Sequence, residues 1–539
     1  MDFLKYYKLF LLLIFNLLSI FIFSATSSSF SVDNFLHCFS SRLQNSNNDQ
    51  PVFSKITSTK TSPLYSSILQ SSIRNLRFSN ISSIPKPEVI LTPFHESHVQ
   101  AAVLCSKENN VQVRVRSGGH DYEGLSYVSE ISPFIVIDLR NFRSINIDIE
   151  KENAWIDAGA TLGEVYYEIA QKSKIHGFPA GSCPTIGVGG HISGGGFGTI
   201  FRKFGLVADN VLDAKIVDIN GKLLNKNSMG EDLFWAIRGG GGSSFGVILS
   251  WKTRLVRVPP IVTVSEIGKT LKQNATKLFH KWQTVGNEIH EDLFLHAVAQ
   301  VGADATTNGT GKTVKVSFTS LFLGKTENLV SLMGNNFPEL GLQAINCTEM
   351  SWIQSVLYFA GFSINDQLEV LVNRKTTIGF FKAKSDYVTE PIPEAGLEGL
   401  WQRLLEDEGS FLIFSPYGGR MSEISDSEIP FPHRRGNLFK IQYSVNWRVE
   451  NETENHIGWM RRLYNYMESY VSKNPRTAYL NYRDLDIGTN DYGNTSYAKA
   501  RVWGFKYFKH NFNRLVRVKT KVDACNFFRN EQSIPILPN

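Results

Sequence analysis

The run Gly181-Ser182-Cys183-Pro184-Thr185-Ile186-Gly187-Val188-Gly189-Gly190-His191-Ile192-Ser193-Gly194-Gly195-Gly196-Phe197-Gly198 carries too much glycine for an ordinary helix or strand. Glycine lets a backbone approach a ligand closely and take positive φ without steric cost. Successive N–H groups in such a loop form an anion-binding nest. Cys183 stands at its entrance. Upstream lies Ser117-Gly118-Gly119-His120-Asp121-Tyr122-Glu123-Gly124, and downstream Arg238-Gly239-Gly240-Gly241-Gly242-Ser243-Ser244-Phe245-Gly246. The three loops together point to a large, phosphate-bearing cofactor held mostly by backbone. The common nucleotide signatures are absent from them. No Gly-x-x-x-x-Gly-Lys-Ser/Thr and no Gly-x-Gly-x-x-Gly register fits.

Beyond the loops the chain holds Phe234-Trp235-Ala236-Ile237-Arg238, Pro430-Phe431-Pro432-His433-Arg434, Tyr482-Arg483-Asp484 and Asn526-Phe527-Phe528-Arg529-Asn530-Glu531-Gln532. With Ser-Gly-Gly-His and Gly-x-Cys-Pro-Thr, these motifs make essentially the whole mature chain resemble the berberine bridge enzyme-like (reticuline oxidase-like) plant flavoproteins of the vanillyl-alcohol oxidase superfamily. The resemblance implies an α+β fold, with a PCMH-type FAD-binding domain and a substrate domain whose antiparallel sheet is covered by helices. It also implies FAD attached twice, by a histidine at the 8α-methyl and a cysteine at C6. His120 and Cys183 stand at the matching positions. Both attachment atoms lie on one edge of the ring, so two distant segments can converge there. Each side chain is a nucleophile once deprotonated. Singly, His120 reads as a hydrogen-bonded loop histidine and Cys183 as a small buried hydrophobe. The two motifs together carry the attachment reading. Ser117, Gly118, Gly119, Gly187, Gly189 and Gly190 are expected to hold the pyrophosphate and ring, with His191 as a loop-fixing donor nearby. A metal site built from His120, Cys183 and His191 matches no common zinc spacing.

Residues 1–25 read as a signal peptide: Lys5 and Lys8, the apolar run Leu9–Phe23, then Ser24-Ala25. The run is short for a membrane anchor, and no other stretch is apolar enough to span a bilayer. A secreted protein, extracellular or in the cell wall, is therefore expected. Cysteine pairing is favoured in that compartment. The chain has Cys38, Cys105, Cys183, Cys347 and Cys525. The family pattern implies a Cys38–Cys105 disulfide, and Cys347 and Cys525 have no evident partner. Asn80, Asn274, Asn308, Asn346, Asn451 and Asn494 head Asn-x-Ser/Thr sequons, candidates for glycosylation on surface loops. The net charge of +6 is spread without a dense basic tract, so nothing points to nucleic acid. A monomer is expected.

Residues 26–257 read as the FAD-binding domain, 258–475 as the substrate domain, and 476–539 as a C-terminal segment that, by resemblance, returns to the first. Gln112–Arg116 alternates as a strand delivering the His120 loop, and Phe134–Leu139 reads as a buried strand. Thr161-Leu162-Gly163-Glu164 has capping-box spacing and opens a helix through Lys172. Ser228-Met229-Gly230-Glu231 repeats that signal before Asp232–Ile237. Strands are expected at Val211–Ile219, Phe245–Val256, Thr313–Phe322 and Leu438–Trp447, and helices at Asn365–Arg374 and Ile457–Lys473.

Period-two alternation puts Phe439, Ile441, Tyr443 and Val445 on one face of the Leu438–Trp447 strand, with Lys440, Gln442, Ser444 and Asn446 on the other. The plain reading is a half-exposed strand. The functional one makes the polar face the active-site floor. The alkaloid-cyclising branch of the resembled family uses a glutamate base here, which this chain lacks. Lysine and glutamine resemble the alcohol-oxidising branches. There, a tyrosine whose pKa is lowered by a nearby cation takes the hydroxyl proton. Tyr482 and Tyr122 are the candidates, with Lys440 as the cation. The monolignol-oxidising branch carries a tyrosine where this chain has Phe197, which moves the base to Tyr482. Ile186, three residues after Cys183, is bulky where a smaller residue accompanies oxygen access, so an acceptor other than oxygen is favoured. The expected substrate is an oligosaccharide or aromatic alcohol oxidised at a carbinol or hemiacetal carbon. A specialised-metabolite (alkaloid- or cannabinoid-type) cyclase and a low-turnover defence or binding flavoprotein are the alternatives.

Overall fold

The computed structural model describes residues 30–44, 53–79, 84–304, 311–375, 377–491 and 496–538. The expected signal peptide and the sequons at Asn80, Asn308 and Asn494 lie outside the described residues.

The first sheet holds β1 (Thr57–Thr59), β2 (Val89–Leu91), β3 (Gln112–Arg116) and β4 (Phe134–Asp138) in the order β1-β2-β4-β3. β2 and β3 both run parallel to β4. Both faces of β4 are buried, which fits its continuous apolar run. The second sheet is antiparallel: β5 (Ile145–Asp148), β6 (Asn153–Asp157), β8 (Val211–Val217), β9 (Leu223–Leu224) and β10 (Val247–Arg254), ordered β5-β6-β10-β8-β9. The short pair β7 (His176–Gly177) and β11 (Val256–Arg257) closes this half. Cys38 and Cys105 form a disulfide between the helices Val32–Gln44 and Glu96–Glu108, with Cα atoms 5.8 Å apart. Cys183, Cys347 and Cys525 are unpaired.

The third sheet has seven antiparallel strands: β12 (Val262–Thr270), β13 (Leu293–Asp304), β14 (Gly311–Phe322), β15 (Cys347–Met350), β16 (Phe380–Val388), β17 (Ser410–Pro416) and β18 (Phe439–Trp447). Their order is β15-β12-β14-β13-β17-β18-β16. One face packs on the helices Ala275–Glu288, Glu394–Leu404 and Thr453–Met467. Leu293, Leu295, Leu412, Phe414, Phe439, Ile441, Tyr443 and Val445 all enter that core. The alternate residues Phe294, His296, Ile413, Ser415 and Gln442 line a cavity on the opposite face. One strand period thus serves stability on one side and a binding surface on the other.

The capping box at Thr161 forms as expected, opening Leu162–Lys172; such a cap contributes about 1 kcal/mol. The second differs. Asn225 caps a helix that begins at Lys226, and Gly230 breaks it at φ 73° before the turns ending at Ile237. The stretch Asn365–Arg374 holds only a short 3-10 turn, Leu368–Val372. The helix expected at Ile457–Lys473 runs Thr453–Met467 instead. Beyond its end, Ser472 N–H donates to the Tyr387 carbonyl at 2.8 Å. Among the described residues, no helix is long and apolar enough to cross a membrane. Asn274 and Asn451 are exposed, and Asn346 is half-buried.

The C-terminal helices Tyr497–Phe508 and Asn511–Val522 pack back on the N-terminal half. Lys519 Nζ, fully buried, donates to the carbonyls of Ser244 (2.7 Å) and Phe528 (2.7 Å). Arg114 pairs with Glu531 at 2.7 Å.

Burial holds several histidines neutral. His98, His191 and His296 are each pushed down to about 4, chiefly by desolvation. Their unfolded value is about 6.5. The folded state therefore resists protonation that the unfolded state accepts. Stability is full above about pH 6.5 and falls progressively as pH drops towards 4. Melting temperature should decline steadily across that window; a flat profile there would refute the buried-neutral assignment.

Candidate active site

Strand β3 delivers the first loop. Arg116, at its end, is fully buried against Asp138 at 2.6 Å and donates to the Ile68 carbonyl. The chain then turns through Gly119 at φ 70°. The second loop meets the first back to back. A Cβ on Gly118 would run into the backbone nitrogen of Gly187, and one on Gly187 into Ser117 Oγ. Only glycine permits that approach.

The contact brings His120 and Cys183 together around one hydroxyl. Thr185 Oγ1 is 3.2 Å from His120 Nε2 and 3.6 Å from Cys183 Sγ. Burial, then the positive charge of Arg74, pushes His120 well below the usual histidine range, so its imidazole is neutral. A neutral imidazole beside an unpaired thiol suits two attachments to one ring edge. Both residues line a cavity of about 500 Å³, together with Ser117, Gly118, Gly119, Ile186, Gly187, Gly189, Gly190 and His191.

Two expected roles change. The Gly189 N–H is committed to the Ala158 carbonyl at 3.0 Å and is not free for a phosphate. Strand β6 leads into Ala158, so the short helix Val188–Ser193 docks on the second sheet through this bond. His191 fixes its loop as an acceptor: Gly181 N–H donates to His191 Nε2 at 3.1 Å.

The other end of the cavity is aromatic. Tyr122 and Tyr482 stack 5.5 Å apart at 10°. Gln442 Nε2 donates to the Tyr122 hydroxyl at 2.9 Å. Tyr479 packs edge-on to Tyr482 at 5.1 Å, and its hydroxyl accepts from Gly196 N–H and Asn481 Nδ2. Phe294, His296 and Phe359 form the wall beyond. Tyr479, Asn481, Phe294, His296 and Phe359 escaped the sequence reading. Only Tyr479 carried a local hint, three residues before Tyr482.

Lys440 is fully buried, and its Nζ has no hydrogen-bond partner among the described residues. It sits 3.2 Å from the ring centre of Phe197, 4.4 Å from Tyr479 and 4.3 Å from Tyr482. Desolvation of an ammonium costs several kcal/mol. A buried cation–π contact returns about 2 kcal/mol. Burial wins, and the amine is pushed well below the usual lysine range. Tyr482 and Tyr122 are pushed up, again mainly by burial. The expected lowering of the tyrosine is therefore not what burial produces. Lys440 addresses the Tyr482 ring face rather than a charged oxygen.

A glycine cradle at one end and tyrosine, amide and amine at the other fit a redox enzyme whose bound cofactor accepts a hydride. The comparisons agree. Residues 87–226 match the family model for an FAD binding domain, and residues 478–535 the model described as berberine and berberine like. The chain is 52% identical to tetrahydroberberine oxidase of Berberis wilsoniae, covering 95% of each. It is 55% identical to monolignol oxidoreductase AtBBE-like 13 of Arabidopsis thaliana, covering 87% of each. The crystal structure of wild-type Phl p 4.0202, a glucose dehydrogenase, superposes with a TM-score of 0.88 at 44% identity over 94% of this chain and 100% of that one. An isoleucine-to-valine variant of Phl p 4, a grass pollen allergen, is described as a glucose oxidase (TM-score 0.88, 45% identity, 94% and 100% covered). The chain belongs to the berberine bridge enzyme-like family of FAD-linked oxidoreductases.

Proposed function

We propose that this chain is a secreted oxidoreductase that carries FAD bound through both His120 and Cys183 and oxidises the carbinol carbon of an aromatic alcohol. The observation that supports it most is the cluster of Tyr122, Gln442, Tyr482 and Lys440 beside the attachment pair. FAD, when bound, supplies the hydride acceptor at N5. The remaining work falls to side chains. Phe294, Phe359 and Phe197 offer ring faces and edges to a flat substrate. Asp121, the one carboxylate on the cavity lining among the described residues, is taken by Arg483 at 2.7 Å. A polyhydroxylated ring would find no free carboxylate acceptor there. Tyr122, held by Gln442, orients the substrate oxygen. Tyr482, once its own hydroxyl proton has left to solvent, accepts the proton of the substrate hydroxyl as phenolate, and the buried Lys440 amine holds its ring by the face. Oxidation of a sugar hemiacetal by the same groups is the second reading, favoured by the likeness to Phl p 4.

Acid precipitation of the secreted chain tests the attachment. Flavin should stay in the pellet, and digestion should give one peptide pair joined through it at His120 and Cys183. Flavin released wholly to the supernatant would refute the covalent linkage. Anaerobic mixing with cinnamyl-type alcohols and with glucose then compares substrates, the former expected to bleach the flavin faster.

A further inference from the structure

The stacked rings of Tyr122 and Tyr482 come from two distant segments, and each has charged neighbours in the chain. Asp121 and Glu123 flank Tyr122, and Arg483 and Asp484 follow Tyr482. Arg483 Nε donates directly to Asp121 at 2.7 Å. Glu123 and Asp484 carry the same sign and cannot pair with each other. Lys382, from β16, stands between them. Its Nζ donates to Asp484 Oδ1 at 2.8 Å and to Glu123 Oε1. The two segments are thus tied twice, once directly and once through a lysine of the third sheet.

β16 is the outer strand of that sheet. Inward charges on an outer strand commonly serve only to block pairing with another chain. Here the strand holds named partners. Lys382 lies opposite Val445 of β18, on the helix-covered face, and Phe381 lies opposite Asn446, on the other. The Phe381 ring meets Tyr122 edge-on at 5.5 Å. Fully buried Asn75 donates through Nδ2 to the carbonyls of both Tyr122 and Phe381 at 3.0 Å. Two consecutive residues of one strand therefore hold the Tyr122 loop by ring, backbone and charge.

Lys382, Glu123 and Asp484 are all buried. Burial pushes the Lys382 ammonium down, but Glu123 and Asp484 outweigh it and hold the amine above the usual lysine range. Lys440 is equally buried, has no carboxylate partner among the described residues, and is pushed the other way. A buried charge cannot drift from its partners without being left unpaired in a poorly polarisable interior. The bridge is accordingly stiff, and it fixes the spacing of residues 123 and 484. Lys384 has a different reach: its ion pairs are with Asp484 at 2.5 Å and Asp486 at 3.0 Å. Arg77 approaches Glu123 only at 3.5 Å.

We infer that Lys382 is a positioning residue for the oxidation: by holding Glu123 and Asp484 to one nitrogen, it sets the stacking of Tyr122 on Tyr482. Lys382 itself lies off the cavity lining and acts through its neighbours. The inference rests on the reading that makes Tyr482 the base and Tyr122 the group that orients the substrate oxygen.

The test uses full-length Lys382→Met with its flavin bound. In its crystal structure the two tyrosine rings should move apart or lose their parallel setting. An unchanged stack overturns the inference, whichever residue is the base. Anaerobic flavin reduction, normalised to bound flavin, is the second readout. The limiting rate should fall about tenfold, part of what a ~1 Å misplacement of reacting groups costs, at an unchanged half-saturating substrate concentration. In a Tyr482→Phe background the same substitution should cost far less, because the group it positions is gone. Lower flavin content or melting temperature with a normal rate per flavin would mean a purely structural role and overturn the inference. So would an equal loss of rate in both backgrounds. Should Lys382→Met give no folded chain, Glu123→Ala cuts one leg of the bridge and leaves Lys382 paired with Asp484. The same displacement and slowing are expected of it, and an unchanged stack and rate overturn the inference. Normal reduction by Tyr482→Phe alone would sink the base reading instead, and the ring geometry in Lys382→Met would still decide this one.

Discussion

Tyr482→Phe is expected to slow reduction of the bound FAD by roughly a thousandfold, within the range for loss of a general base, while substrate still binds. The ring remains, so the stack on Tyr122 and the contact with Lys440 persist. Only the hydroxyl is lost, and with it the atom that takes the substrate proton. Stopped-flow reduction without oxygen isolates this step. The pH dependence carries the mechanism. Burial holds Tyr482 in its protonated form. Reduction by the unmodified enzyme should therefore accelerate as pH rises, and the phenylalanine variant should be flat. Lys440→Met should slow reduction far less than Tyr482→Phe, since it removes only the amine packed on the Tyr482 ring face. A Tyr482→Phe variant reducing at the normal rate would remove this residue from the chemistry.

The second large effect concerns reoxidation. Ile186 lines the cavity three residues after Cys183, and its amide closes the turn on the Cys183 carbonyl at 3.3 Å. Its branched side chain is proposed to cover the face of the flavin that dioxygen must reach. Ile186→Val deletes one methylene from that cover. Phl p 4 offers the parallel, with a dehydrogenase and an isoleucine-to-valine oxidase sharing one fold. The reduced variant should react with dioxygen on the order of tenfold faster or more, as a one-methylene change in a close-fitting site allows. Its reduction by substrate should be unchanged. The measurement mixes photoreduced enzyme with air-saturated buffer. Identical reoxidation rates would assign the barrier elsewhere.

Local patterns were readable where they are fixed by neighbours in sequence. Strand β3, the faces of β18 and the Thr161 cap followed from alternation and cap spacing. The glycine loops were legible because only glycine survives the backbone contact between Gly118 and Gly187. What failed depends on tertiary partners. The Leu368–Val372 turn presses its backbone on Gly163, so its apolar residues do not need a helix. His191 looked like a donor, but its role is set by an amide ten residues upstream. The depression of Lys440 needs three rings from two distant segments, which no local pattern announces. The pairing of Arg114 with Glu531 joins residues 417 apart.

The division of labour across β13, β17 and β18 bears on how this family diversifies. Residues facing the helices keep the sheet folded, whereas neighbours such as His296 and Ile413 face the cavity. A change at His296 or Ile413 alters what fits while leaving the helix-facing core in place. Such a scaffold can be retuned one strand position at a time. Relatives half identical to this chain have accordingly been given names as different as an alkaloid oxidase and a monolignol oxidoreductase. Substrate choice can drift on one face while selection for foldability acts on the other.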